Sequence, residues 1–66
     1  MPRSTREWAH RKIDEAIQNL NWAGTHTNEV SERYRTDHPE ISNNLDHVLS
    51  ILAMSQDLLK KIGGSF

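Results

Sequence analysis

The chain carries four histidines, at positions 10, 26, 38 and 47, which are its best candidates for proton transfer or metal binding. Glu7 precedes His10 by three residues, the spacing used in the di-iron sites of helical bundles. Such a site needs a second Glu-x-x-His motif and further carboxylates, but the segment "NNLDH" before His47 supplies no matching Glu. We therefore expect neither a metal site nor a cofactor.

A catalytic triad is the second chemistry to consider, because serine, histidine and aspartate all occur. Their spacing does not suggest a triad, and no glycine-rich loop that could cradle a phosphate accompanies them. A chain this small also offers little enclosed volume for acid–base catalysis. We expect no catalytic residue and a protein that is not an enzyme.

The cationic side chains are distributed in a way that suggests anion binding. Of the eight lysines and arginines, four lie near the start of the chain and two near its end. If the two ends meet, these six form one candidate ligand site with a tryptophan and a histidine: Arg3, Arg6, Trp8, His10, Arg11, Lys12, Lys60 and Lys61. An aromatic ring beside cations suits a nucleobase stacked above a phosphate. The alternative is a solvated basic end that binds no ligand.

Helical periodicity predicts how these residues are positioned. The string "STRE" predicts a capping box, with Ser4 as the N-cap and Glu7 three residues on. Apolar or small residues then recur at alternating steps of four and three, the heptad pattern of a helix that packs on another helix. The members of this first seam are Ala9, Ile13, Ala16, Leu20, Ala23, Thr27, Val30 and Tyr34.

The segment "NLNWAGTHTNEV", residues 19–30, decides whether the first helix is continuous. The heptad phase runs through it, and a loop would have no reason to preserve that phase. Its Asn, Thr and Gly residues are poor helix formers, however, and Gly24 costs about 1 kcal/mol relative to Ala. Gly24 could also end a helix, with Thr25 capping a new one. We favour one helix over about residues 5–36, kinked near Gly24; the alternative is three helices, with a break at 23–26.

A second helix is predicted over about residues 39–62. Pro39 disfavours helical geometry at His38 and suits a first turn, and Asp37 can cap with Glu40 three residues on. The seam again has steps of four and three: Ile41, Leu45, Val48, Leu52, Ser55, Leu59 and Ile62. The "GG" at 63–64 ends the helix. A short turn between two such helices predicts a single domain over residues 1–66, an all-α antiparallel helical hairpin.

The second helix has more apolar surface than one neighbouring helix can cover. Beside the seam, Ile51, Met54 and Leu58 form a further stripe, and Leu49 widens the other edge. At 100° per residue the apolar arc is roughly 220°. Small soluble proteins rarely leave such an arc exposed. We therefore expect self-association into a helical-bundle dimer or larger oligomer through these four residues.

Length and composition narrow the class of protein. The 66 residues bury little core and contain no cysteine, so disulfides cannot stabilise them. A formal charge of −1 argues against a bulk nucleic-acid binder. No segment is apolar over enough residues to span a membrane, and "MPRSTREWAH" is not a secretory signal. We expect a cytoplasmic protein, and its small size suggests a phage or mobile element.

The segment "RKIDEAIQNLNWA" resembles the helical core of a phage family of anti-CBASS cyclic-oligonucleotide sponges. Members carry a K-[LI]-[ED]-E-A-M segment followed closely by Trp-Ala. Here Lys12 to Ile17 match that segment, and Trp22 and Ala23 follow about one helical turn late. The resemblance covers some twelve residues of the 66. It implies a compact all-helical anti-defence oligomer that sequesters cyclic nucleotide signals at sites between subunits, and it carries over no ligand-contact residue.

Three functions are compatible with these patterns. We expect a non-enzymatic binding protein that sequesters a small phosphate-bearing ligand such as a cyclic nucleotide. The alternative is a protein–protein interaction module that inhibits or adapts a host protein through its apolar stripe. A third, minor alternative is RNA binding by a four-helix dimer. It is suggested by an architectural likeness to the small RNA-binding hairpin dimers of plasmid copy control. A ligand binder needs a basic polar pocket in the oligomer, whereas an adaptor needs apolar surface that stays free.

Overall fold

The chain folds into two α-helices that pack side by side and run in opposite directions. The computed structural model describes the backbone of residues 2–65 and the side chains of residues 5–65. Helix α1 spans Pro2–Tyr34 and helix α2 spans Pro39–Gly63, and these described residues contain no strand. The predicted all-α antiparallel hairpin is confirmed.

Helix α1 passes through the uncertain segment without a break. Gly24 does not have a positive φ, so it is an ordinary helical residue, not a left-handed C-terminal residue. Thr25 does not cap a new helix; its hydroxyl donates to the Asn21 carbonyl, one turn earlier, at 3.2 Å. This local bond satisfies a side chain that would otherwise favour a turn. The three-helix alternative is therefore wrong.

The start of α1 differs from the prediction. The helix begins at Pro2, so Ser4 lies inside its first turn and is not the N-cap. A proline is well suited to this position because its missing N–H would have no partner in a first turn. The side chain of Ser4 lies outside the described residues.

The turn between the helices is stabilised mainly by backbone hydrogen bonds. The His38 N–H donates to the Tyr34 carbonyl at 2.8 Å, and the His38 carbonyl accepts from the Ile41 N–H at 3.0 Å. His38 is the N-cap of α2, without a side-chain cap, and Pro39 opens the helix. The predicted capping role of Asp37 is thus wrong by one residue, because the turn closes at His38.

The C-terminal end of α2 follows the prediction that the two glycines end the helix. The Gly64 N–H donates to the Lys60 carbonyl at 3.0 Å, and the Ser65 hydroxyl donates to the Lys61 carbonyl at 3.1 Å. Gly64 keeps right-handed helical angles, with φ −75° and ψ −10°. The last carbonyls of α2 are therefore satisfied without a left-handed residue.

Three cross-helix contacts fix the register of the hairpin, and they recur every seven residues. The Gln56 amide donates to the Ile17 carbonyl at 3.1 Å. A methyl group at Gly24 would lie 3.9 Å from Leu49 Cδ2. The Ser31 and Ser42 hydroxyls are 2.8 Å apart. A heptad repeat thus provides at least one polar or small residue at each of these contacts: Gln56, Gly24 and the two serines.

In this register, some of the residues between the helices differ from the predicted seam residues. Positions 9, 13, 16, 20, 23 and 27 of α1 are partly buried as expected, as are 45, 52, 55 and 59 of α2. The other predicted members are 38–46% exposed: Val30, Tyr34, Ile41, Val48 and Ile62. Ser31, Ser42 and Leu49 occupy the seam in their place, because small residues allow the helix backbones to approach closely.

Helix α1 is longer than α2 and extends beyond it. Gly63 at the end of α2 lies beside Ile13, since a methyl group at Gly63 would be 3.6 Å from Ile13 Cγ2. Eleven residues of α1 precede Ile13, which corresponds to about 16 Å of helix. The first turns of α1 therefore project past the end of its partner helix.

The hairpin buries no apolar side chain fully; in its described part only Ser31 and Ser42 are buried. The accessible surface is 5254 Å², whereas a compact monomer of this mass exposes about 4,300 Å². The radius of gyration is 15.6 Å, against about 11 Å for a compact domain of this length. The single chain is thus an extended two-helix layer without a core of its own.

Neither helix, over the residues that the structure describes, is long and apolar enough to cross a membrane.

Candidate functional site

One broad side of the hairpin is apolar, and we call it the apolar face. Its members project from α2 and from the turn-proximal part of α1 and are 38–59% exposed: Val30, Ile41, Val48, Ile51, Leu58 and Ile62. On α1 the positions in line with Val30, at seven-residue steps, are Ala23, Ala16 and Ala9. The apolar face is therefore bulky along α2 and nearly flat along α1.

The opposite broad side is polar, and an ion pair shows that the two sides are distinct. Arg35 of α1 and Asp46 of α2 lie on the same flank of the seam and interact, with Nη1 and Oδ2 3.4 Å apart. This flank is formed by the residues one and four positions after each seam contact, and on both helices these residues are polar, apart from Ala53. Because the polar flanks coincide, the flanks that carry Val30 and Val48 coincide on the other side.

Two large apolar side chains lie on the outer edges of the layer: Trp22 and Met54 are 61% and 67% exposed and lie about half a turn around their helices from the seam positions Gly24 and Gln56. Trp8, which is 52% exposed, lies on the part of α1 that projects beyond α2. The Trp22 ring stacks on the His26 ring, with centroids 6.1 Å apart. Of the predicted oligomer residues, Ile51 and Leu58 thus lie on the apolar face and Met54 borders it.

Leu49, the fourth predicted oligomer residue, has a different environment. It is partly buried between the helices, where its side chain faces Gly24. Glycine leaves room for a leucine at this level, so Leu49 contributes to the hairpin seam and does not widen the exposed stripe. The sequence pattern alone could not assign it, because Leu49 lies next to the predicted seam position Val48.

A hydrogen-bond network that includes the two buried serines joins the helices next to the turn. The Ser42 hydroxyl can donate to the Ser31 hydroxyl at 2.8 Å, and the Ser31 hydroxyl donates to Asp46 Oδ1, also at 2.8 Å. Arg35 donates to Asp46 and to Glu32, with Nη2 3.2 Å from the Glu32 carboxylate. Sequence reasoning did not find this network, although Ser31 and Ser42 belong to the seven-residue repeat of the seam.

The network shifts the pKa values of its charged members. The hydrogen bond from Ser31 and the guanidinium of Arg35 lower the pKa of Asp46 below its ordinary value, against a smaller opposing effect of burial. Hydrogen bonds to the carboxylates of Glu32 and Asp46 raise the pKa of Arg35. Both residues are therefore held in their charged forms at neutral pH.

The predicted ligand residues surround the end of the hairpin at which the chain termini lie, which we call the basic end. Gln56 lies beside Ile17 in the antiparallel register, so Lys60 and Lys61 are level with residues 12–13 of α1, and Arg11 lies one residue further on. Arg6 and Trp8 lie further along the part of α1 that projects beyond α2, and His10 is partly buried. The side chain of Arg3 lies outside the described residues. The described members of this group lie at the same end of the hairpin, spread along the first turns of α1 and the last turns of α2.

Formal charge is segregated along the hairpin. Residues 16–28 and 47–56 contain no Asp, Glu, Lys or Arg, and the register aligns these two segments side by side. The basic end, taken as residues 1–15 and 57–66, has six cations against four carboxylates, a net charge of +2. The turn end, residues 29–46, has two cations against five carboxylates, a net charge of −3. The molecule thus has a positive end, an uncharged middle and a negative end.

The described residues show a shallow surface depression and no cluster of metal-binding side chains. They contain no group of three or more His, Asp or Glu side chains that could hold a metal ion. A shallow, open depression on α1 is lined by Glu29, Val30, Arg33 and Tyr34. The Tyr34 ring contacts the His38 ring beside it, with centroids 5.7 Å apart. The arrangement can support surface contacts and anion binding.

No family of known proteins matches the chain, and neither the curated proteins nor the solved structures contain a significant match. The resemblance of residues 12–23 to cyclic-oligonucleotide sponges therefore stays a prediction.

Proposed function

We propose that this protein is a non-enzymatic binding protein that assembles from helical hairpins and sequesters a small phosphate-bearing ligand, such as a cyclic oligonucleotide, at its basic end. The observation that supports this proposal is the segregation of charge. Six of the eight lysines and arginines lie at one end of the molecule, next to an exposed tryptophan. The partial sequence resemblance to phage sponge proteins suggests the same ligand class.

The side chains at the basic end can make the contacts that such a ligand needs. Arg6 and Arg11 are exposed and form no ion pair with another described side chain, so their guanidinium groups can bind a phosphate through two hydrogen bonds. Lys12 is paired with Glu15 at 3.4 Å, but both side chains are more than half exposed. Exposed pairs of this kind are weak, so a phosphate can displace the carboxylate. Trp8 offers a ring face for a base.

Isothermal titration calorimetry with a panel of cyclic di- and trinucleotides tests the proposal, with inorganic phosphate and a linear dinucleotide as comparisons. We expect heat with at least one cyclic ligand and an affinity that falls as salt is raised. Arg11→Ala and Trp8→Ala should each weaken binding by roughly tenfold or more, since a charge-assisted contact contributes about 1.5–3 kcal/mol and a base stacked on an aromatic ring about 1–3 kcal/mol.

Arg33→Ala is the matched control, because it removes the same charge from the turn end of the hairpin. Binding by the basic end predicts a much smaller effect of this variant than of Arg11→Ala. Equal losses would mean that binding follows net charge alone. No heat and no thermal shift with any ligand at millimolar concentration would exclude the sequestration proposal.

A second candidate function is a protein-interaction module, and the apolar face is the observation that favours it. A host protein with a complementary apolar groove could bind the face that carries Ile51 and Leu58. This candidate requires the face to stay free in the purified protein. It would be excluded if the purified protein buries that face against another copy of itself.

A further inference from the structure

We infer that a second copy of this chain covers the apolar face, and that the two copies lie antiparallel, with the basic end of each beside the turn end of the other. This inference goes beyond the proposed ligand and does not depend on it. The pair would form a four-helix bundle in which both apolar faces are removed from water.

The size of the apolar face matches what a stable dimer needs. The Cα atoms of the hairpin span 54 × 15 × 10 Å. The broad side of this layer therefore covers roughly 800 Å², which is the area that each partner typically buries in a specific protein–protein interface. The excess accessible surface of the single chain is explained if this side is an interface.

The structure favours a second copy as the occupant because the face is self-complementary. A two-fold dimer brings the same patch of both molecules together, so that patch must suit itself. The middle of the hairpin meets this requirement: residues 16–28 and 47–56 carry no charged side chain. Apolar side chains such as Val48 and Ile51 can then be buried against their equivalents without burying an unpaired charge.

Charge decides between the two orientations that a face-to-face two-fold dimer can take. A parallel pair would place the two ends of net charge +2 together and the two ends of net charge −3 together. An antiparallel pair places each positive end beside a negative end. Complementary charges of this kind fix the register of a complex and disfavour the alternative. The antiparallel orientation also sets α1 against α1, where Ala16 and Ala23 allow close approach.

Sedimentation equilibrium and native mass spectrometry of the purified protein provide the first test. We expect a dimer at micromolar concentration. The double variant Ile51→Glu/Leu58→Glu places two carboxylates on the apolar face and should shift the population to monomer. The control is Asn43→Glu/Ser50→Glu, which adds the same charges at the same seven-residue spacing on the polar side. It should leave the dimer intact.

The orientation is measured with a nitroxide label on Asp37→Cys, the only cysteine of that variant, because the natural sequence has none. An antiparallel dimer places the two turns at opposite ends, so the label-to-label distance should approach the 54 Å length of the hairpin. A parallel dimer would give roughly 20 Å, about two helix diameters. The labelled protein keeps its apolar face, so this result stands even if the double variant unfolds.

A monomeric wild-type protein, or a dimer with the short label distance, would overturn the inference. So would a dimer that survives Ile51→Glu/Leu58→Glu with its helices intact by circular dichroism. The ligand experiment is independent of these outcomes. A monomer that binds a cyclic nucleotide would keep ligand sequestration but exclude the dimer and the assembly included in the proposed function. An antiparallel dimer that binds no ligand would keep the assembly and exclude sequestration.

Discussion

Gly24 of α1 lies opposite Leu49 of α2, at a distance that leaves room for one methyl group. A Cβ atom at Gly24 would be 3.9 Å from Leu49 Cδ2, an ordinary van der Waals contact. Gly24 also does not have the positive φ that would make glycine necessary. The glycine is thus tolerated by the hairpin but not required by its backbone.

Gly24→Ala should therefore stabilise the protein. Alanine restricts the unfolded chain and is the better helix former, which is worth about 0.5–1 kcal/mol where no strain is introduced. In a domain of this size we expect the melting temperature to rise by roughly 2–8 °C. Thermal denaturation followed by circular dichroism measures the shift. A clear fall would contradict a continuous α1, because only a left-handed residue at this position would penalise alanine.

The buried Ser31 hydroxyl should contribute measurably to stability. Ser31→Ala removes the donor to Asp46 Oδ1 from a side chain that is 0% exposed, and should cost about 1–2 kcal/mol. Ser31→Leu should cost more, since a larger side chain would force the helices apart at Ser42. Urea denaturation at one fixed protein concentration measures both variants. Ser50→Ala, at an exposed position of α2, is the control and should be close to neutral.

Asp46 should make stability depend on acidic pH. Its pKa is lowered in the folded protein, so its contribution is complete above the unfolded pKa of about 4. As the pH falls further, the unfolded state takes up the proton first, and the contribution is lost as the pH passes the folded pKa. Wild type and Asp46→Asn should therefore differ in free energy of unfolding at neutral pH and converge in acid. Urea denaturation over a pH series tests this, and a constant difference throughout would contradict it.

Asp37→Ala should have little effect on stability. Loss of a true N-cap costs about 1 kcal/mol, but His38 is the N-cap of α2 and Asp37 precedes it in the turn. We expect a change within about 0.5 kcal/mol, as for other exposed positions. Thermal denaturation at neutral pH is sufficient to measure it. A loss near the full value of a cap would restore Asp37 to the role that the sequence predicted.

The sequence by itself determined the architecture. Alternating steps of four and three predicted both helices, Pro39 placed the start of the second, and the paired glycines placed its end. The continuity of α1 through Gly24 also followed from the pattern, because heptad phase depends on many positions and outweighs the poor helix propensity of a few. The sequence also predicted that Ile51 and Leu58 extend the apolar surface of α2 beyond the seam, because a buried helix face carries apolar residues at helical spacing.

Only the tertiary structure decided which flank of each helix meets the other. Val30 and Ser31, or Val48 and Leu49, are adjacent in sequence and about 100° apart around the helix, so a contact surface can be centred on either member of each pair. In the structure the second member of each pair lies in the seam. The helices approach closely at Ser31 and Ser42, and Gly24 leaves room for Leu49. The same choice sends Val30 and Val48 to one exposed side and brings Arg35 to Asp46 on the other. The contact surface of each helix depends on how well the two helix surfaces pack together, so it cannot be predicted from either helix alone.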